Sequence, residues 1–576
     1  MSAKLTFSAV AVSLLIVASG LALDACQRRG PHKPEPQVNA AGGSGVSSAS
    51  GARPQVRSAA LADAPAGIDW LPGDQLETAF STAATAHKPV FLFWGAVWCP
   101  YCKDLKANVF SRADFRAKLR LFVPVYLDGD TEGAQKWGDR FRIAGYPTVL
   151  VLGADRTELA RIAGGMDIHQ YANVLDLVLA DAEPVDRLLA RAASPAASAS
   201  SPGVTKASAH GPQTGSRDAG ALTADDCRRL AYNAWSLDAT LDEDAGRLGK
   251  SLDAAAQHCP PDALHERARL VVIAAGLQAT SEEKALSSGR APSPALKQMM
   301  ARVETVLADQ HWAAQNADVL QYLDEPFFQA IAKSWPDKAA DWLARWGATM
   351  DAAADDTRFT MGDRLAFVNS KLMATKALSP GGKIPAQLIA DANHRIDVAL
   401  ERTKDPMPRA GVVNAALNVL ETLGDPQHGY DIAAAEVPNT QTPYYYLADM
   451  ADLADELGRR DEAVSLRERA YRESRGAATR FQWGTGYLLE LIRVRPNDDT
   501  RIRSAALEVL GELDAPDRLY SRSRTRLARI SSTLKQWSAG GRHAETIAAI
   551  RKRMGEICGR IPEGDTAKQS CRAFLA

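Results

Sequence analysis

The chain has 576 residues, with 68 Lys plus Arg against 69 Asp plus Glu and a formal net charge of −1. That length predicts several domains, and the balanced charge gives no sign of nucleic acid or of an acidic substrate. Hydrophobic residues make up 46% and charged residues 24%, ordinary for a globular protein.

Lys4 is the only charge before Asp24, and residues 5–23 are almost wholly apolar. A short basic start and an apolar run read as an export signal over residues 1–26. Leu23-Asp24-Ala25-Cys26 resembles a bacterial lipoprotein cleavage box, with Cys26 as the lipidated residue, although Asp24 departs from the small apolar residue favoured there. The run is also nearly long enough to stay as an uncleaved anchor, while Arg28 and Arg29 oppose an N-in orientation. Simple secretion is the third outcome. All three put the bulk of the chain outside the cytoplasm, in the bacterial periplasm, and the first two tether it to a membrane. Residues 27–66 are rich in Pro, Gly, Ser and Ala. They read as a flexible tether of about 40 residues, holding the next domain some 30–40 Å from its anchor.

Residues 67–185 read as one α/β domain. Leu76, Ala79, Phe80 and Ala83 predict a helix over 74–87. The apolar run 90–94 predicts a central strand covered on both faces, with Phe91, Phe93 and Trp94 in the core. Then comes Trp98-Cys99-Pro100-Tyr101-Cys102-Lys103, followed by a predicted helix over 103–119. The spacing predicts a strand over 121–127, with Pro124 at a bulge or edge, and a helix over 132–141. Gly145-Tyr146-Pro147-Thr148 opens a strand over 148–152, paired as a hairpin with 158–163. A closing helix runs from 167 to 181.

Strand, tight turn and two cysteines opening a helix is a redox arrangement. A helix N-terminus carries partial positive charge and free N–H groups, which favour a thiolate at the first cysteine. The second cysteine lies one turn on, where it can attack a mixed disulfide. Two other readings stay open. Half of a zinc site needs a second ligand pair, but there is no second Cys-x-x-Cys and His169 is the only nearby downstream histidine. A purely structural disulfide is the other. Neither metal nor cofactor is expected.

These residues resemble the thioredoxin family. Trp98, Cys99, Cys102 and Lys103 match its active site, Pro147 its cis-proline, Thr148 the residue after it, and Gly164 or Gly165 a later glycine. The likeness covers about residues 69–182. Within the family, the run KPVFLFWGAVWCPYCKDLKANVFSRADF is similar to periplasmic thioredoxin-like domains such as the C-terminal domain of DsbD. The resemblance implies that Cys99 attacks, Cys102 resolves, and Pro147 shapes a groove for client and redox-partner proteins. Trp98, Pro100, Tyr101, Tyr146 and Thr148 complete that groove. Trp98 is expected to stay partly exposed and to touch a partner. One departure stands out: the family's buried acid falls at or near Phe93, and no carboxylate lies between Ala86 and Asp104. Asp104 and Asp128 are the candidate substitutes. Redox direction stays open, with reductase or isomerase placed ahead of oxidase because the wider resemblance is to a reductant domain.

Residues 192–220 read as a second linker rich in Ala, Ser, Pro and Gly. Helical periodicity then runs over 221–576, broken at Cys259-Pro260-Pro261, Pro336, Ser379-Pro380-Gly381-Gly382 and Pro496-Asn497. An all-α array of helical hairpins is expected. Tyr446, Leu447, Leu453, Ala454, Leu457-Gly458, Glu462-Ala463 and Ala470 resemble one tetratricopeptide unit. Gly541-Arg542-His543-Ala544 is a fainter echo. Tyr444-Tyr445-Tyr446 serves either a peptide groove or helix packing. Cys227 and Cys259, and Cys558 and Cys571, form two candidate structural disulfides in an oxidising compartment, four buried thiols being the alternative. His258 and His265 read as isolated surface or core residues. The expected protein is a membrane-tethered periplasmic thiol:disulfide oxidoreductase with a helical client-binding half. The alternative is a redox-inert helical scaffold.

Overall fold

The structure, a computed structural model, describes residues 61–576 apart from 62, 132, 164–167, 194–221, 239–240 and 324. The signal segment, Cys26, most of the tether, Gly164 and Gly165, and nearly all of the second linker lie outside the described residues. Among the described residues no helix is long and apolar enough to cross a membrane.

Five strands form one mixed sheet: β1 (Leu71–Pro72), β2 (Val90–Gly95), β3 (Val123–Asp128), β4 (Thr148–Leu152) and β5 (Glu158–Ala163), in the order β1-β3-β2-β4-β5. β1 and β2 run parallel to β3, while β4 runs antiparallel to β2 and to β5. Every residue of β2 is buried, as a central strand requires. Its alternation splits the core. Phe91 and Phe93 face Trp70, Phe110 and Tyr126. Val90, Leu92 and Trp94 face the opposite cluster, with Leu76, Phe80 and Phe141. Pro124 is tolerated because β1 pairs only with Val125 and Tyr126, leaving an open edge beside it.

The helices around the sheet are α1 (Leu76–Ala86), α2 (Pro100–Leu105), α3 (Ala113–Leu119), α4 (Ala134–Arg140), α5 (Ile168–Ala180) and α6 (Val185–Ala193). The helix expected over 103–119 is interrupted by a π-helical turn at Lys106–Phe110. This wider turn buries Lys106, Val109 and Phe110 together. Two boundaries differ from expectation. Residues 192 and 193, read as linker, complete α6, and Ala192 is buried. The end of the tether packs on the sheet: Ala64 is buried and the Trp70 indole donates to the Pro65 carbonyl at 3.0 Å.

The second half is helical from Ala224–Ala231 to Ala567–Ala573. Local signals set its starts. Thr223 and Asp226 form a capping box, and Asp405 and Asp425 cap helices that open on proline. Gly424 and Gly458 take the left-handed conformation that ends a helix. Gly458 joins Pro443–Glu456 to Arg460–Glu473, the pair with the tetratricopeptide-like residues.

The two halves share one hydrophobic core, which runs from Phe93 and Cys102 through Tyr445 to Ile557. The helix Pro406–Leu423 packs along α2, and Ser521–Trp537 packs on α4. The Arg161 N–H donates to Asn233 at 2.8 Å and its carbonyl accepts from Ala234 at 2.7 Å, which covers the outer edge of β5.

Cys227 is bonded to Cys259, 32 residues on, and Cys558 to Cys571, 13 residues on. On the chain-entropy model each crosslink stabilises by about 3–4 kcal/mol. The double variant Cys227→Ser/Cys259→Ser is therefore expected to lower the unfolding free energy by about 3 kcal/mol, read from the denaturant midpoint at unchanged slope.

Candidate redox site

Cys99 is the N-cap of α2 and Pro100 its first residue. The Cys102 backbone N–H donates to Cys99 Sγ at 3.1 Å, so the sulfur takes the place of a capping oxygen. Both thiols are free and buried, Cys99 only 2% exposed. The Tyr146–Pro147 bond is cis, and Pro147 and Thr148 are buried. Thr148 Oγ1 donates to the Gly145 carbonyl at 2.9 Å.

Burial pushes the Cys102 thiol well up, and its hydrogen bond with Cys99 adds to this. Lys106, one turn after Cys102, pulls the other way. Its ammonium pairs with Asp63 and lies 5.1 Å over the Tyr126 ring. Tyr126 Oη also donates to Asp63 at 3.1 Å. A charge pair with a buried lysine and a half-exposed aspartate therefore occupies the Phe93 side of the sheet, where the family acid is missing. Its acid comes from residue 63, in the segment read as tether. The sequence signal for Lys106 was its i+4 spacing from Cys102; nothing local marked Asp63.

Trp98 is not partly exposed as expected: it is 6% exposed and seated on the helical half. Its indole stacks on Tyr445 at 5.9 Å and meets Trp483 edge-on at 6.0 Å. Its Nε1–H donates to Thr479 Oγ1 at 2.8 Å. Thr479 is held in turn by Asp130 of the sheet domain. The Thr479 N–H donates to Asp130 Oδ1 at 2.8 Å, and its hydroxyl donates to Oδ2. Asp130 thus sits at the start of the helix Ala477–Val494, which favours a carboxylate. Gly476, at φ +82°, makes this approach fit, since a Cβ there would collide with Asp130.

The other residues around the cysteines are engaged in the same way. Tyr445 Oη donates to Asn414 at 2.6 Å, and Asn414 Nδ2 donates to Tyr101 Oη at 2.8 Å. Lys103 Nζ donates to Thr442 at 3.1 Å. Tyr146 stacks on Trp94 at 5.5 Å and meets Trp98 edge-on at 5.6 Å. The tyrosine run 444–446 is buried rather than lining an open groove, with Tyr445 packed on Trp98 of the motif, Tyr444 near Trp483 and Tyr446 against Tyr445. Asn414, Thr479 and Trp483 carried no motif in the sequence; they belong to the site only because the helix Pro406–Leu423 packs along α2 and the helix Ala477–Val494 meets Trp98.

Of the two candidate acids, neither replaces the family acid directly. Asp128 is buried at the end of β3, and burial followed by the Asp130 charge raises its carboxyl to about 7. Asp104 lies on α2 facing the helical half, where burial and then Asp363 raise it to about 7. Asp363 is itself raised to about 6, chiefly by burial.

Both histidines have neighbours. His258 Nδ1 lies 2.9 Å from the Ala192 carbonyl, and His265 Nε2 lies 2.6 Å from Tyr232 Oη. His265 lines a recess of about 500 Å³ with Arg228, Glu266 and Trp312, in which no cysteine takes part. The acidic group Asp181, Glu183 and Asp226 is met by Arg191, at 2.8 Å from Glu183 and 3.1 Å from Asp226.

Acids raised in the fold bind protons that the unfolded chain has already released. Stability therefore falls as pH rises from about 4, the unfolded value, through about 7. The thermal midpoint is expected to drop between pH 5 and pH 8. Asp104→Asn should flatten that slope, leaving the part carried by Asp128 and Asp363.

Residues 76–179 match the family model described as a thioredoxin-like domain. Over 105 residues the chain is 30% identical to the thiol:disulfide interchange protein DsbD 1 of Pseudomonas aeruginosa, a stretch that is 18% of this chain and 18% of that protein. The chain therefore carries a thioredoxin-like domain fused to a helical region, and spans under a fifth of the relative it matches.

Proposed function

We propose that this thioredoxin-like domain is a periplasmic thiol:disulfide oxidoreductase whose motif is covered by its own helical array. The observation that carries the reading is the free pair itself, with the Cys102 N–H on Cys99 Sγ at a helix start. The Cys99 thiolate attacks one sulfur of a substrate disulfide, forms a mixed disulfide and expels the other sulfur as a thiolate. Cys102 then gives up its proton and attacks Cys99 Sγ, releasing the second substrate thiolate. The substrate gains two electrons and the pair becomes a disulfide, so a partner dithiol must reduce it again. Lys106 stabilises the Cys102 thiolate during the second step. No cofactor is needed.

The reductive direction is favoured. The motif run is similar to a reductant domain, that of DsbD, and this likeness supports reduction ahead of oxidation. The pair's reduction potential is expected nearer roughly −270 mV than roughly −120 mV, measured in glutathione buffers by alkylation and peptide mass.

Burial of Cys99 and Trp98 favours a second reading, in which the domain is a redox-silent piece of the helical scaffold. Under the enzymatic reading, a protein disulfide reaches Cys99 after the Trp98 seat on Tyr445, Trp483 and Thr479 opens. Cys102→Ser is expected to accumulate mixed disulfides that vanish in Cys99→Ser. Adding Thr479→Val removes two buried hydrogen bonds, about 1–3 kcal/mol, and should speed trapping about tenfold. If neither variant traps a partner, the scaffold reading replaces the enzyme.

A further inference from the structure

The helix Ser521–Trp537 buries a seam through Ser523, Leu527, Ile530, Leu534 and Trp537. Beside that seam Arg522, Arg526 and Arg529 recur at i, i+4 and i+7, which sets them in one row. Arg467, from the helix Arg460–Glu473, adds to the positive field at Arg526. On another side of the same helix Arg524 is matched by Asp139 at 2.5 Å. The row is not matched: among the described residues Arg522, Arg526 and Arg529 have no carboxylate partner. Burial, and then Arg522 and Arg529, act against the Arg526 charge. A guanidinium does not shed its proton, so the row stands as an unbalanced positive potential.

The row begins at the redox groove. The Arg522 guanidinium lies 4.7 Å over the Tyr146 ring, and Tyr146 meets Trp98 edge-on. A second observation lies beside it. Gln482 is 6% exposed and accepts from Arg522 Nη2 at 3.3 Å through Oε1. Its Nε2 is buried with no acceptor. Reversing the amide would set two donors against each other, so the free group is a donor. An amide N–H and a guanidinium row, at one place, both lack an acceptor.

We infer that Arg522, Arg526, Arg529 and Gln482 form a carboxylate-binding subsite for an acidic polypeptide segment beside the substrate disulfide. The seven steps from Arg522 to Arg529 rise about 10 Å along the helix, the length of about three residues of extended chain. That length suits successive carboxylates along a polypeptide better than one compact anion. Arginine forks bind carboxylates through paired hydrogen bonds. The substrate's identity rests on the oxidoreductase reading; the binding itself does not.

The test uses the full chain and a cysteine-free peptide of about ten residues with alternating Glu, against the same peptide with Gln, by calorimetry. The Glu peptide should bind at least about tenfold tighter, less so in high salt. Arg526→Gln should remove that preference and raise the thermal midpoint, because it deletes a half-buried cation crowded by Arg522 and Arg529. Arg469→Gln, an exposed arginine paired with Glu473, should change neither. Equal affinity for the two peptides overturns the proposal. So does a fall of both binding and thermal midpoint in Arg526→Gln, which marks a structural arginine. Binding of inorganic phosphate without preference between the peptides assigns the row to free anions and overturns it too. The peptide carries no cysteine, so a failed trapping experiment with intact Glu preference would sink the redox reading and leave the subsite.

Discussion

The arrangement hangs on one hydrogen-bonded line: Trp98 indole to Thr479 hydroxyl, Thr479 hydroxyl and amide to Asp130. Each end belongs to the thioredoxin-like domain and the middle to the helical half. An indole N–H and a carboxylate are both costly to bury alone. Thr479 satisfies them together, donating and accepting at a single oxygen. Tyr445 and Trp483 then close over the Trp98 ring, and Cys99 is left with almost no exposure. The cover of the motif is therefore specific chemistry, in addition to apolar contact.

The electrostatics around the pair follow from the same enclosure. Away from water, carboxyls are held in their neutral form unless hydrogen bonds or cations compensate. Asp104 of α2 and Asp363 of the helix Met361–Leu378 are each raised chiefly by burial, and the Asp363 charge adds to the shift at Asp104. On the other face of α2, Lys106 with Asp63 brings a compensated charge close to Cys102. The helical half thus changes what the cysteine pair experiences as well as what can reach it. Its arginine row beside Tyr146 extends that influence toward whatever lies in the groove.

Much of the fold was legible. An apolar run followed by Trp98-Cys99-Pro100-Tyr101-Cys102 pointed to the thioredoxin-like domain, because strand burial and helix starts are local properties of the chain. The helical half was legible from its 3.6-residue periodicity and its proline and glycine breakers. The continuous helix expected over 103–119 was not found, because periodicity does not register one extra residue in a π-helical turn. The exposure of Trp98 was misjudged because a family motif describes a domain by itself. No pattern in residues 98–104 announces that Asn414, Thr442 and Thr479 stand opposite.

By itself the sequence determined the elements and the pairing of a nucleophile-type cysteine with a second one turn on. Three-residue spacing and helix-start chemistry are short-range and need no partner. Only the tertiary structure decided that the motif is enclosed, that Asp63 pairs with Lys106, and that the arginine row starts over Tyr146 at Arg522. Those contacts join residues tens to hundreds of positions apart. They exist because the helices Pro406–Leu423 and Ser521–Trp537 return to the sheet domain to bury one shared core.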